Sequence, residues 1–264
     1  MARRLRFQVA YDGTDFYGWQ VQPGRSTVQG VLESVISAIE GSAVHVAGSG
    51  RTDAGVHAYA QVAAVTLTNP IPIENFRRAV NRLLPPTIRI SNVRDVAIDF
   101  HPRFQARRKT YEYRIYRDEI CSPFERRFVH YYPYPLDEKL MIEAARLFEG
   151  EHDFAAFAAA DDRRDAFGYS RVRRIFVSDL ERSGQKLIYR VTGSGFLKHM
   201  VRNLVGVLIE VGKGNIDLDG VRQRLRNGNK FRAGPTVPGT GLFLISVEYD
   251  DQPPMPIASF LSGE

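Results

Sequence analysis

Along this chain the spacing of apolar residues switches between a period of two and a period of 3.6 in one order, and that order runs through twice. Leu5, Phe7, Val9 and Tyr11 alternate with polar or small residues, the pattern of a half-buried strand. From Val28 the spacing turns helical, with Val31, Leu32, Val35, Ile36 and Ile39 on one side, Ser26 or Thr27 placed to cap the start, and Gly41 near the end. "AVHVAG" and "QVAAVTL" read as strands. Ile73, Phe76, Val80 and Leu83 make a second helix that Pro85 and Pro86 stop, and "TIRISNV" closes the series as a strand. The first half is therefore strand, helix, strand, strand, helix, strand.

The second half begins with a strand at "KTYEYRIYR" and a helix from Leu140 to Phe148. "RVRRIFVSDL" and "QKLIYRVTG" form a hairpin pair across Ser183 and Gly184. A helix then covers "FLKHMVRNLVGVLIEV", a short basic helix runs from Leu218 to Leu225, and "GLFLISVEY" is the last strand. No residue-level similarity links the halves, so the repeat is one of topology. Each half resembles a split βαβ unit, in which two helices cover one face of an antiparallel sheet. The expected fold class is α+β: two such ferredoxin-like or RRM-like halves whose sheets meet at a central catalytic cleft, near the connection from Phe100 to Lys109. The expected boundaries are an N-terminal subdomain over 1–105 carrying the Asp53 loop, a C-terminal subdomain over 106–250, and a Pro-rich tail over 251–264.

Apolar residues at 44% and charged residues at 25% are ordinary for a globular chain, which argues against wholesale disorder. The single cysteine, Cys121, excludes an internal disulfide and a multi-cysteine zinc site; it fits a reducing compartment and is expected to be inert. Gln8, Asp12 and Thr14 interrupt any export signal, and no apolar run reaches the roughly 18 residues of a membrane span. A soluble, cytoplasmic protein is the expectation. The net charge of +6 is bunched in groups that arginine dominates: Arg3, Arg4 and Arg6; Arg77 and Arg78; Arg103, Arg107, Arg108 and Lys109; Arg171, Arg173 and Arg174. Such groups suit either a solvated basic surface or a nucleic-acid partner.

Several chemistries fail on spacing. "GSGRTDAGVHA", from Gly48 to Ala58, lacks the third glycine of a dinucleotide fingerprint and the Gly-Lys of a P-loop, so a nucleotide-binding enzyme drops out. The "GSG" at Gly193 to Gly195 is not a hydrolase elbow, no H-E-x-x-H helix exists among the six histidines, and His57 and His199 lack a ligand pattern; no metal is expected. What remains is Asp53, on a loop between two strands. Thr-Asp-Ala-Gly is an ordinary turn sequence. With Arg51 two residues away and a strand holding the loop at the sheet rim, the same carboxylate could instead serve as nucleophile or base.

"VAYDGTDFYGWQ", "TVQGVLE", "GSGRTDAGVHA", "KTYEYRI", "FLKHMVRNLVG" and "GLFLISVEY" together resemble the bacterial tRNA pseudouridine synthase A family, from Arg4 to about Tyr249 and in the family's order. Two departures stand out: Ser49 where alanine is expected and Phe243 where tyrosine is expected. The resemblance implies that Asp53 is the catalytic aspartate for turning uridine into pseudouridine in the tRNA anticodon stem-loop, with no cofactor. The N1 to C1′ bond breaks, the uracil turns in the pocket, rejoins through C5 and loses the C5 proton. A carboxylate can attack C1′ or a base carbon, or assist a glycal, and the residues leave these routes open.

The resemblance further implies that Arg202 is the aspartate's basic partner and that Tyr111 stacks on the target base and assists proton removal. It gives Arg51 the displacement of the target nucleotide from its stem, and Leu242 the packing against the flipped uracil. Read without it, Arg202 is a surface-facing helix residue, Tyr111 shares a core-facing stripe with Tyr113 and Ile115, and Leu242 is an ordinary core leucine. Arg107, Arg108 and Lys109 are the expected RNA-binding residues, tracking phosphates. A homodimer with tRNA across both subunits is also implied. The alternative is a noncatalytic RNA-binding module built from the same units, which needs the charge but not Asp53; the missing RRM signature counts against it.

Overall fold

A computed structural model describes residues 2–159, 170–226 and 234–250. They form two compact units, residues 2–107 with 243–250 and residues 108–242. The tail expected over 251–264 lies outside the described residues.

The first unit contains β1 (Arg3–Tyr11), α1 (Val28–Glu40), β2 (Ala47–Gly48), β3 (His57–Leu67), α2 (Ile73–Leu83) and β4 (Ile88–Val96). It also takes β10 (Leu242–Glu248) from Phe243 onward. The sheet runs β4-β1-β3-β10, antiparallel except for the parallel β3–β10 pair, where Phe243 faces His57 and Leu244 faces Ala58. The alternation expected in β1 holds, with Leu5, Phe7 and Val9 fully buried. Arg6, on the other face, is buried too, its guanidinium 3.9 Å above the Tyr249 ring. Thr27 caps α1 by accepting from the Gly30 amide, and Gly41, at a φ of +82°, closes it. Val28, Leu32 and Ile36 point that helix into the core, each worth roughly 1.5–3 kcal/mol when buried. Phe76 of α2 packs on Phe7 of β1, and the Asn81 side chain bonds both the N–H and the C=O of Ile90, tying α2 to β4.

Only Ala47 and Gly48 of "AVHVAG" join the sheet. The Val44 amide donates to Ser37 Oγ and the Val46 amide to Glu33 Oε1, so side chains of α1 take the groups that a ladder would have used.

The second unit contains β5 (Arg108–Tyr116), β6 (His130–Tyr131), α3 (Glu138–Arg146), β7 (Gly150–Asp153), β8 (Val172–Ser183), β9 (Lys186–Gly193), α4 (Met200–Gly212) and α5 (Leu218–Arg226). Its sheet runs β5-β9-β8-β7, antiparallel, with β6 parallel to β5. The hairpin turns at Gly184, whose φ is +55°. α3 packs on β8, α4 and α5, and Ser178 Oγ of β8 donates to the Ala145 carbonyl of α3. The expected fold class is thus met: mixed helices and a mostly antiparallel sheet in each unit.

Several boundaries differ from the sequence reading, and β3 starts four residues earlier than "QVAAVTL", at His57. α3 starts earlier, at Glu138, because Asp137 caps it by accepting from the Leu140 amide. α4 starts later, at Met200, because His199 stands at a φ of +60°, outside helical geometry, so Phe196 to Lys198 lie before the helix. The last strand, expected in the C-terminal subdomain, is counted from Phe243 on with the first unit, through its pairing to β3.

Candidate active site

Asp53 lies between β2 and β3, in a loop laid against the segment from Asp12 to Trp19. The two loops meet peptide to peptide. Trp19 N–H donates to the Thr52 carbonyl (3.1 Å), Gly55 N–H to the Phe16 carbonyl (3.3 Å), and Gly13 N–H to His57 Nδ1 (3.1 Å). The approach requires glycine on one side: a Cβ on Gly13 would lie 2.0 Å from the Val56 oxygen, and one on Gly18, at a φ of +84°, 2.5 Å from the Thr52 oxygen. Below the loop, the buried Tyr11 hydroxyl bonds Thr52 Oγ1 at 2.9 Å, and burial pushes that phenol well above its ordinary range. Ser49 Oγ donates to Gln61 Oε1, and Gln61 Nε2 donates to the Gly50 carbonyl. Ser49, where alanine was expected, therefore adds a strut beneath the loop.

The turn itself runs from Asp53 to Val56. Val56 N–H donates to the Asp53 main-chain carbonyl at 3.2 Å, with Gly55 at a φ of +75°. Asp53 is thus the first residue of a turn, as Thr-Asp-Ala-Gly suggests, but a main-chain oxygen closes the turn. The carboxylate, half-buried at the mouth of β3, is not what the turn demands. Arg51 is exposed on the same loop. His57, which the sequence reading treated only as a rejected metal ligand, is buried, stacks on Phe243 at 4.7 Å, and has Nδ1 3.2 Å from Asp12 Oδ1. Phe243 does the stacking without the hydroxyl of the tyrosine expected there.

In the second unit Tyr111, Tyr113 and Ile115 share one face of β5, and all three are buried. The two tyrosines differ. Tyr113 is fully buried, its hydroxyl donates to the Pro238 carbonyl at 2.9 Å, and burial holds its pKa far above the ordinary range. Tyr111 keeps slight exposure and meets the edge of Phe196 at 5.1 Å and 84°. Phe196 lies before α4, so the late start of that helix leaves its ring against Tyr111.

Arg202 is in the first turn of α4, a helix buried over most of its surface. The guanidinium is half-buried and its Nε donates to the Val237 carbonyl at 2.7 Å. Leu242 is buried and directly follows the turn Gly239–Gly241. Tyr111, Arg202 and Leu242 thus all come from the second unit, and Asp53 and Arg51 from the first. Sequence reasoning missed the segment from Asp12 to Trp19 as the partner of the Asp53 loop, and residues 234–238 as the partner of α4. Glycines at Gly13, Gly18 and Gly206 were the available signal.

Of the expected RNA-binding residues, Arg107 is exposed and paired with Asp250, its Nε 2.8 Å from Oδ2. Arg108 lies over the Phe176 ring at 4.7 Å, which Arg174 also approaches at 5.9 Å, and Lys109 is half-buried. No cluster of three or more His, Cys, Asp or Glu able to hold a metal occurs among the described residues, and no helix among them is long and apolar enough to cross a membrane.

A family model described as tRNA pseudouridine synthase matches residues 8–105 and 144–250. A tRNA pseudouridine synthase A from Solibacter usitatus (strain Ellin6076) is 62% identical over 94% of this chain and 100% of its own length. The protein of the same name from Myxococcus xanthus is 42% identical over 95% of this chain and 94% of its own length. Among solved structures, a Cbf5-Nop10-Gar1 complex is similar at a TM-score of 0.37 and 13% identity, covering 93% of this chain and 60% of that chain, too distant to bear on the site.

Proposed function

The chain belongs to the tRNA pseudouridine synthase family, and from that premise we propose how its residues isomerise uridine to pseudouridine in tRNA. The uridines lie in the anticodon stem-loop, as the resemblance implies. Asp53 acts on the nucleotide as the catalytic carboxylate. The C1′–N1 bond breaks, the uracil turns, C1′ bonds to C5, the C5 proton leaves and N1 gains one, so the product is an isomer and no cofactor enters the balance. Tyr111 stacks on the base and assists removal of the C5 proton. Arg202 supplies positive charge that favours an ionised carboxylate, a role that suits an arginine held half-buried on a mostly apolar helix. Arg51, exposed beside Asp53, displaces the target nucleotide, and Leu242 offers an apolar contact to the uracil. Arg107, Arg108 and Lys109 track phosphates of the folded tRNA, and the working form is a cytoplasmic homodimer.

The observation that carries this reading is the Asp53 turn. Its closure uses a main-chain oxygen, and main-chain contacts to the neighbouring loop hold it, so the carboxylate is carried on a fixed loop without closing the turn itself. A reactive group on a rigidly held loop is what nucleophilic or general-base chemistry needs. The test is tritium release from tRNA labelled at uridine C5, without added metal or nucleotide. Release by the wild type and none by Asp53→Asn supports the assignment. Tight tRNA binding without release on several tRNAs would favour the noncatalytic RNA-binding module.

A further inference from the structure

Residues 234–238 cross α4, and from Pro235 on each is fixed to the second unit. Pro235 lies so close that a Cβ on Gly206 would be 1.9 Å from its carbonyl oxygen. Thr236 Oγ1 donates to Asn203 Oδ1 at 2.6 Å, and Asn203 Nδ2 donates to the Phe157 carbonyl at 2.8 Å. Arg202 Nε donates to the Val237 carbonyl, and Tyr113 donates to the Pro238 carbonyl. The turn Gly239–Gly241 follows, with Gly241 against the Tyr113 ring and the Arg114 carbonyl, and delivers Leu242.

We propose that Thr236 is a positioning residue for Arg202. A guanidinium on a helix has many rotamers, and a single N–H bond to a fixed carbonyl removes most of them and sets the plane of the fork. That carbonyl is fixed only as well as the residue before it. Asn203 is nine-tenths buried, and its N–H bond to Phe157 determines which way its amide points, leaving Oδ1 to receive the Thr236 hydroxyl. The chain of dependence therefore runs from Phe157 through Asn203 and Thr236 to Val237 and the guanidinium. Without the hydroxyl, the buried Asn203 oxygen loses this donor and the crossing segment shifts where Val237 meets Arg202. The inference rests on the reaction role given to Arg202.

The experiment compares Thr236→Val, Thr236→Ala and Thr236→Ser by tritium release, with KM for tRNA, kcat and thermal unfolding measured on each. Expected for Val and Ala is a fall in kcat of about tenfold with KM unchanged, recovered in Ser. In an Arg202→Lys background, which lacks the Nε–H donor, Thr236→Val should add no further loss. Equal kcat in Val and Ser, an additive loss in the Lys background, or a loss that merely follows the folded fraction would each overturn the proposal. Should Val not fold, Ala carries the same comparison. An inactive wild type would overturn the functional reading and the inference with it; an active wild type with indifferent Thr236 variants would overturn the inference alone.

Discussion

Asp53 sits on a turn whose neighbours are peptide groups, whereas Arg202 sits on a helix where side chains and one carbonyl do the holding. In the first unit, glycines bring one loop's main chain onto another's, with Gly13 on Val56 and Gly18 on Thr52. In the second, the regular elements β5 and α4 carry the site residues, and Asn203, Thr236 and Tyr113 fasten a segment across them. The first arrangement adds side-chain bonds from Tyr11, Ser49 and Gln61 beneath the loop to its main-chain contacts, and so depends on side-chain chemistry only in part. The second depends on it at each step, and it is tied to the core, so damage there is expected to reach stability as well as turnover.

The largest expected effect separates the two directly. Gly13→Ala forces the paired loops apart and should lower turnover by about a hundredfold or more with modest loss of stability. Gly206→Ala forces Pro235 off a buried helix and should cost about 3 kcal/mol in urea unfolding. If Gly13→Ala instead destabilises as much as Gly206→Ala and the folded fraction keeps its activity, the contrast is broken.

Acid should sharpen it. Burial lowers the pKa of His130 in β6 to about 4. Unfolded, it titrates near 6.5, so between those values the unfolded chain binds the extra proton. Stability from this group is complete above about pH 6.5 and is lost as pH falls toward 4, by at most about 3 kcal/mol. His130→Asn should flatten the pH dependence of unfolding in that window, and an unchanged slope would remove His130 as its source.

The tyrosine pair comes next. Tyr113→Phe leaves the Pro238 carbonyl without its donor and should cost about 1–3 kcal/mol of stability. Tyr111→Phe should leave tRNA binding intact while slowing tritium release. Exchange of these outcomes would reverse the roles given to the two rings. The smallest effect concerns Arg107 and Arg108. Asp250 holds Arg107, so Arg107→Ala should weaken tRNA affinity less than Arg108→Ala, and Arg108→Ala should also flatten its salt dependence. Equal effects would mean that the Asp250 pair opens on binding.

Much of the fold was legible because periodicity reports burial. The alternation of β1, the helical spacing of α1 with Thr27 and Gly41 at its ends, and the Gly184 hairpin all follow from local pattern. The failures have different origins: at "AVHVAG" side chains of α1 take the Val44 and Val46 amides, and at His199 a φ of +60° holds off the helix that the apolar spacing extends. Asp53 was legible as a candidate, but whether its turn needed a carboxylate depended on which atom accepts the Val56 amide. For Tyr111 and Tyr113, sequence offered two equivalent rings on one face; the Pro238 carbonyl on one and the Phe196 edge on the other tell them apart.

The pairing of Phe243 with His57 has a consequence for biosynthesis. The edge of β3 beside the Asp53 turn receives its parallel neighbour only after the chain has been translated past Phe243. At ribosomal speeds of about 5–20 residues per second, that edge waits roughly ten seconds or more. During the wait its unpaired amides and carbonyls, and the apolar residues of a strand buried on both faces, are open to the wrong partner. A nascent chain stalled before Phe243 would hold an assembled Asp53 turn on an unfinished sheet, and would be a client for chaperones before it could be an enzyme.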